Sequence, residues 1–203
     1  MKRTNTRTIR LVQLALFTAV IIIMAFTPLG YIRIGASLSI ALIVIPVTVG
    51  AINLGPLAGA ILGGIFGLTS LAQCFGIDPF GTALFGINPI GTIILCMVPR
   101  ILMGWLTALI FQAIKKVDKT KHLPHLVGNL AGPVLNTVLF MTTLVIFFYH
   151  TDYIQSYVEE FGTNGVIAFV LAFVGINAIV EVIVSLLLGS AITKTLEVVK
   201  ERQ

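Results

Sequence analysis

The stretch GPLAGAILGGIFG, residues 55–67, places glycine at every fourth position: Gly55, Gly59, Gly63 and Gly67. On a helix that spacing draws one stripe of bare backbone along a single face. In water each such glycine costs a helix up to ~1 kcal/mol relative to alanine. In lipid, helices gain little by hiding apolar side chains from one another. Close van der Waals packing must hold them together there, and small residues permit it. The stripe therefore predicts a buried central helix pressed against its neighbours, and says nothing about cargo.

Composition points to the same solvent. Of the 203 residues, 57% are hydrophobic and 10% charged, with a mean hydropathy of +1.04. Long apolar runs of this kind indicate a polytopic membrane protein and leave little for a soluble domain. The expected fold is an all-α bundle of six transmembrane helices, over roughly 11–29, 38–53, 56–73, 91–114, 126–148 and 166–193. The first segment does not read as a cleaved signal peptide, because FTPLGY and no small-residue site follows its core. Span 2 is short for a bilayer that needs ~20 residues. Residues 74–91, CFGIDPFGTALFGINPIG, are too apolar for an ordinary loop and too broken by Gly and Pro for a full helix. They are expected to be re-entrant or to cap a cavity. The chain thus divides into a basic N-terminus (1–10), a six-helix membrane domain (11–193) and a tail (194–203).

Positive charge sets the expected orientation. Lys2, Arg3, Arg7 and Arg10 precede span 1; Lys115, Lys116, Lys119 and Lys121 follow span 4; Lys194, Lys200 and Arg202 end the chain. An even span count puts all three segments on one side, so both termini are expected in the cytoplasm. The other side carries Asp78, Asp152, Glu159 and Glu160. Tyr149, Tyr153 and Tyr157 fall at helical spacing, as on a short helix lying at the outer interface. An aromatic belt explains them without a ligand.

Polar side chains inside spans are costly and point to function. Arg100 lies about nine residues into span 4, roughly 13 Å from its outer boundary. Asn136 lies roughly 18 Å into span 5, and Asn177 and Glu181 roughly 17 and 23 Å into span 6, one turn apart on a shared face. Asn88 and Gln73, at the edges of the outer loop, would complete a pocket from above. Two readings stand for Arg100, and they can coexist. It pairs with Glu181, cancelling both charges, or its planar fork anchors an anionic or strongly polar ligand group. Asn136 and Asn177 suit ligand binding and interhelical hydrogen bonding equally. Glu181 reads more readily as structural, since a free carboxylate there would repel an anionic ligand.

A second small-residue pair lies in span 1, where ALFTA sets Ala15 and Ala19 around Thr18, just inside the basic end. This A-x-x-x-A patch resembles the docking motif of the substrate-binding S-components of energy-coupling factor (ECF) transporters. The resemblance extends along the chain: LVQLALFTAV after a basic start, LGPLAGAILGGIFGLTS after a short span 2, then VPRILMGWLTALIF, LNTVLF and NAIVEVIVSLLLG. Within that family the run FGLTS…CFG…INP…PRILMG is most similar to the pantothenate branch. Riboflavin-type members share much of the scaffold. The resemblance implies a high-affinity vitamin-binding specificity subunit in the bacterial cytoplasmic membrane. Such a subunit topples and docks through Ala15, Thr18 and Ala19 on a transmembrane T-component powered by two ATPases. Pantothenate carries one carboxylate, two hydroxyls and an amide, an inventory that Arg100 with Asn and Gln side chains matches.

Other classes find little support. No GxxxxGK[ST] segment offers a P-loop, so ATP hydrolysis falls to partners. His122, His125 and His150 sit at loop edges without metal-ligand spacing, and no cofactor is implied. Cys74 and Cys96 lack CxxC spacing and read as packing residues rather than a disulfide. No catalytic constellation is visible. The basic N-terminus fits the orientation rule better than nucleic-acid binding. A solitary secondary transporter, the remaining rival, would usually show an inverted repeat, and spans 1–3 and 4–6 show none that is convincing.

Overall fold

The computed structural model describes residues 6–28, 30–34, 38–118, 123–189 and 192, with backbone alone for residues 6, 32–34, 38–40 and 176–181. Helix α1 (Thr6–Ala25) leads into a hairpin of strands β1 (Tyr31–Ile34) and β2 (Leu38–Ala41). There follow α2 (Val44–Leu54), α3 (Pro56–Gln73), α4 (Pro79–Ile87), α5 (Pro89–Val117), α6 (Leu123–Phe148), α7 (Asp152–Glu160) and α8 (Val166–Val184). A single wider π-type turn, Ser185–Gly189, continues α8. Among the described residues four helices are long and apolar enough to cross a membrane: α1 from Arg7, α3, α5 and α6.

The glycine stripe does what its spacing predicts. A Cβ on Gly63 would overlap the Arg100 carbonyl of α5, and one on Gly59 would overlap the carbonyl of Gly104. A Cβ on Gly67 would stand 2.8 Å from the Cys96 carbonyl oxygen. Each step of four along α3 is thus met by a step of four back along α5, so the two backbones lie in contact, antiparallel, over two turns. Gly104 closes the seam from the other side, since its own Cβ would strike the Gly59 carbonyl. Gly55 serves differently. At φ 96° it makes the turn between α2 and α3, and Pro56 begins the next helix.

Three expectations need correction. Span 2 is not one helix over 38–53. Its first part is β2, paired antiparallel with β1 so that Tyr31 faces Ala41 and Ile34 faces Leu38. The alternation in YIRI and LSIA favours extended backbone, and the remaining helix is only 11 residues long. An all-α description therefore omits this hairpin. Span 6 is not continuous either: α8 breaks at Gly175 (φ 13°, ψ −111°), where the absent Cβ allows departure from helical geometry. Tyr149 lies in the turn before α7, so only Tyr153 and Tyr157 share that helix, with hydroxyls 3.2 Å apart.

Residues 74–91 fold as the short helix α4 and the first turn of α5. Asp78 accepts from the Gly81 N–H at 2.8 Å and starts α4; Asn88 accepts from the Gly91 N–H at 2.9 Å and starts α5. Each is followed by proline at the first helical position, which has no N–H to satisfy. Two apolar clusters fill the bundle. One joins α1, α2, α3 and α5 through Ile21, Val47, Leu62, Phe66 and Met103. The other joins α4 to α8 through Leu84, Leu95, Leu144, Phe148, Ile154 and Phe169.

Candidate functional site

Arg100 lies where the two clusters meet. Its guanidinium stacks 5.5 Å from the ring centre of Phe66 on α3 and 4.7 Å from that of Phe140 on α6. The residue is buried, at 8% exposure. One helix irregularity explains its reach. Pro99 has no N–H, so the Leu95 carbonyl, four residues earlier, loses its backbone partner. In lipid an orphaned carbonyl is expensive, and Arg100 Nη1 donates to that oxygen. The guanidinium is not thereby exhausted, for among the described residues its buried Nε has no hydrogen-bond partner. Among the described residues no carboxylate pairs with Arg100. The expected partner Glu181 has its side chain outside the described residues, as does Asn177.

Asn136 is buried on α6, one turn before the Phe140 that covers Arg100. The α5–α6 interface therefore brings these two predicted residues to one region. Gln73 and Asn88 carry structural bonds instead. Gln73 Nε2 donates to the Ala25 carbonyl at 2.6 Å, fastening the end of α3 to the end of α1. Asn88 caps α5. Ala15 and Ala19 are exposed on α1 and Thr18 is half-buried, in a face continued by exposed Leu11, Val12, Leu16, Ile22 and Ile23.

Sequence reasoning missed Tyr31 and Ser70. Tyr31 begins the hairpin; its hydroxyl is buried beside Ser70 of α3 without a well-formed hydrogen bond among the described residues. Burial raises this phenol well above its ordinary value, and the Arg100 charge pulls against that rise. Tyr31 stood in a short polar-looking connection, and only the hairpin turns it inward. Ser70 donates to Cys96 Sγ at 3.8 Å. The two cysteines, read separately as packing residues, are neighbours here, free thiols with sulfurs 3.7 Å apart. The region around Arg100 thus combines one cation, one phenol and one hydroxyl in an apolar frame, with two buried donors unspent. Chemically, such a set can donate hydrogen bonds and positive charge to a polar or anionic group. A separate groove of about 810 Å³ opens between α6 and the first half of α8. Its lining of Val138, Met141, Val145, Val170 and Val174 is apolar and includes none of the predicted site residues.

The family model described as "ECF transporter, substrate-specific component" matches residues 9–192. The chain belongs to that family. As an S-component it is a multi-pass membrane protein of a transport system. The pantothenate transporter PanT of Leuconostoc mesenteroides is 29% identical over 205 residues, covering 98% of this chain and 97% of that one. Among solved structures, ThiT from Listeria monocytogenes superposes with a TM-score of 0.62 at 24% identity, covering 94% of this chain and 96% of that one. That likeness shows the chain to have the same fold as ThiT.

Proposed function

We propose that this S-component captures pantothenate from outside the cell and delivers it, by toppling and docking, to a T-component driven by two ATPases. The observation that carries the reading is the Arg100 guanidinium: buried between Phe66 and Phe140, with Nε unsatisfied and no described carboxylate beside it. A cation at such depth is costly, and a ligand carboxylate offsets the cost when bound. The end-to-end similarity to a pantothenate transporter supplies the ligand class. Asn136 and Asn177 serve the hydroxyls and amide, with Gln73 and Asn88 shaping the mouth and Glu181 holding charge balance at the inner edge.

The bundle makes six crossings, the two irregular ones being β2 with α2 and α8 with its π turn. Arg7, Arg10, Lys115 and Lys116 share one end, because Gly59 meets Gly104 there while Gln73 meets Ala25 at the other. That basic end is cytoplasmic. The exposed Ala15–Ala19 strip of α1 gives the T-component a smooth surface.

Equilibrium binding to the purified chain in lipid nanodiscs tests the vitamin. Pantothenate is compared with panthenol, its analogue bearing a hydroxymethyl in place of the carboxylate, and with riboflavin. Pantothenate is expected to bind far more tightly than panthenol, and Arg100→Ala to erase that preference. Saturable riboflavin binding with none for pantothenate would overturn the reading.

A further inference from the structure

Cys74 closes α3 and Cys96 lies in the first half of α5, and neither has a part in ligand capture as proposed. Both are buried, at 5% and 4% exposure. Their sulfurs stand 3.7 Å apart, and one residue holds both: Ser70 donates its hydroxyl to Cys96 Sγ at 3.8 Å and accepts from Cys74 Sγ at its carbonyl at 3.4 Å. Backbone contact at Gly67 and Cys96 holds the two helices close beneath the pair. Gly81 of α4 leans on Cys74 from the other side, since a Cβ there would lie 2.6 Å from its sulfur. The thiols therefore have little room to part. Joining them at ~2.05 Å requires an approach of roughly 1.6 Å, within the compass of side-chain rotation and slight helix adjustment.

We propose that Cys74 and Cys96 are a modification site, a two-electron redox pair that a small peroxide converts to a disulfide linking α3 to α5 beside Arg100. Burial selects the oxidant. A bulky disulfide such as oxidised glutathione has no line of approach, whereas hydrogen peroxide is little larger than water. Cys74 is followed by exposed Phe75, Gly76 and Ile77, which give access from the end of the bundle opposite the basic one. In the first step one sulfur, its proton released to solvent, attacks a peroxide oxygen. The O–O bond breaks, hydroxide leaves, and a sulfenic acid remains. In the second step the other thiol attacks that sulfur. The S–S bond forms, the S–O bond breaks, and water leaves with the displaced proton. In sum, two thiols and one peroxide give one disulfide and two waters. The bond clamps α3 to the turn of α5 that precedes Arg100 and contains its Leu95 acceptor, so oxidation bears directly on the geometry of that site.

The full chain in nanodiscs is treated with hydrogen peroxide, denatured, alkylated with N-ethylmaleimide and weighed intact, then digested without reduction. The expected result is loss of both alkylatable thiols and of two hydrogens, a peptide pair joined through residues 74 and 96, and full reversal by dithiothreitol. Native protein is expected to resist N-ethylmaleimide before denaturation. Cys74→Ser and Cys96→Ser should each yield no joined pair and instead add oxygen at the remaining cysteine. Wild-type protein that keeps both thiols, or gains oxygen without a cross-link, overturns the proposal. The readout is a mass, so it stands or falls separately from whether pantothenate binds.

Discussion

Arg100 both fastens a helix and, as proposed, holds a ligand, and a double-mutant cycle with Pro99 separates the two roles. In the wild type Nη1 of Arg100 satisfies the Leu95 carbonyl that Pro99 leaves without a backbone partner. Arg100→Ala orphans that oxygen inside the bundle, a loss of about 1–3 kcal/mol for a buried acceptor. It also removes two aromatic contacts and relieves a desolvated charge, so its net effect has no simple sign. The coupling does. Pro99→Ala supplies an N–H to Leu95, and the general helix gain of alanine over proline cancels between backgrounds. Pro99→Ala is therefore expected to stabilise the Arg100→Ala protein by about 1–2 kcal/mol more than it stabilises the wild type. For a chain of this size that is a difference of roughly 2–8 °C in unfolding midpoint. Thermal unfolding of the four proteins in one detergent, followed by intrinsic fluorescence, reads the difference. Pantothenate affinity is measured alongside. It is expected to collapse in Arg100→Ala and to stay lost in the double variant, because the restored backbone bond returns no cation. Equal stabilisation in both backgrounds would refute the role of the Leu95 carbonyl. Recovery of affinity in the double variant would refute the ligand role and leave Arg100 a helix fastener.

Gly63→Ala should destabilise the bundle by about 1–3 kcal/mol, since its Cβ meets the Arg100 backbone. Gly64→Ala, whose Cβ would make an ordinary 3.7 Å contact with Ile101, should be neutral or gain up to ~1 kcal/mol; equal unfolding midpoints for the two would show that the glycine seam does not hold α3 to α5. Ala15→Trp should abolish vitamin uptake in proteoliposomes holding the T-component and both ATPases while leaving nanodisc binding unchanged, and uptake at the wild-type rate would exclude docking through this strip. The Tyr31 phenol is raised by burial, so its contribution is complete below the unfolded value of about 10 and lost as pH climbs toward the folded one. In an alkaline series the unfolding midpoint should fall more steeply for the wild type than for Tyr31→Phe, and parallel curves would contradict the burial of this hydroxyl.

Much of this molecule could be read without coordinates. Glycine every fourth residue on an apolar segment admits few uses in lipid, so α3 was legible as a central helix, and α5 is the surface it touches. The helix starts at Asp78-Pro79 and Asn88-Pro89 were passed over, because the Gly and Pro content of 74–91 reads as a broken segment, yet the cap needs a short acceptor and the next position needs no N–H. Arg100 stood out because an intramembrane cation is rare and expensive. These are local statements, fixed by the energy of one residue in one solvent. The hairpin between residues 31–34 and 38–41 is local too, but its short alternation was hidden because LSIA runs straight on into the apolar stretch of α2 and reads as one span with it. The meeting of Cys74 with Cys96, the turning inward of Tyr31 and the use of Gln73 as a fastener depend on how helices distant in sequence cross. Hydropathy records the cost of leaving water and carries no information about partners. The crossing itself, set by which carbonyls the bare glycines can approach, chose those partners.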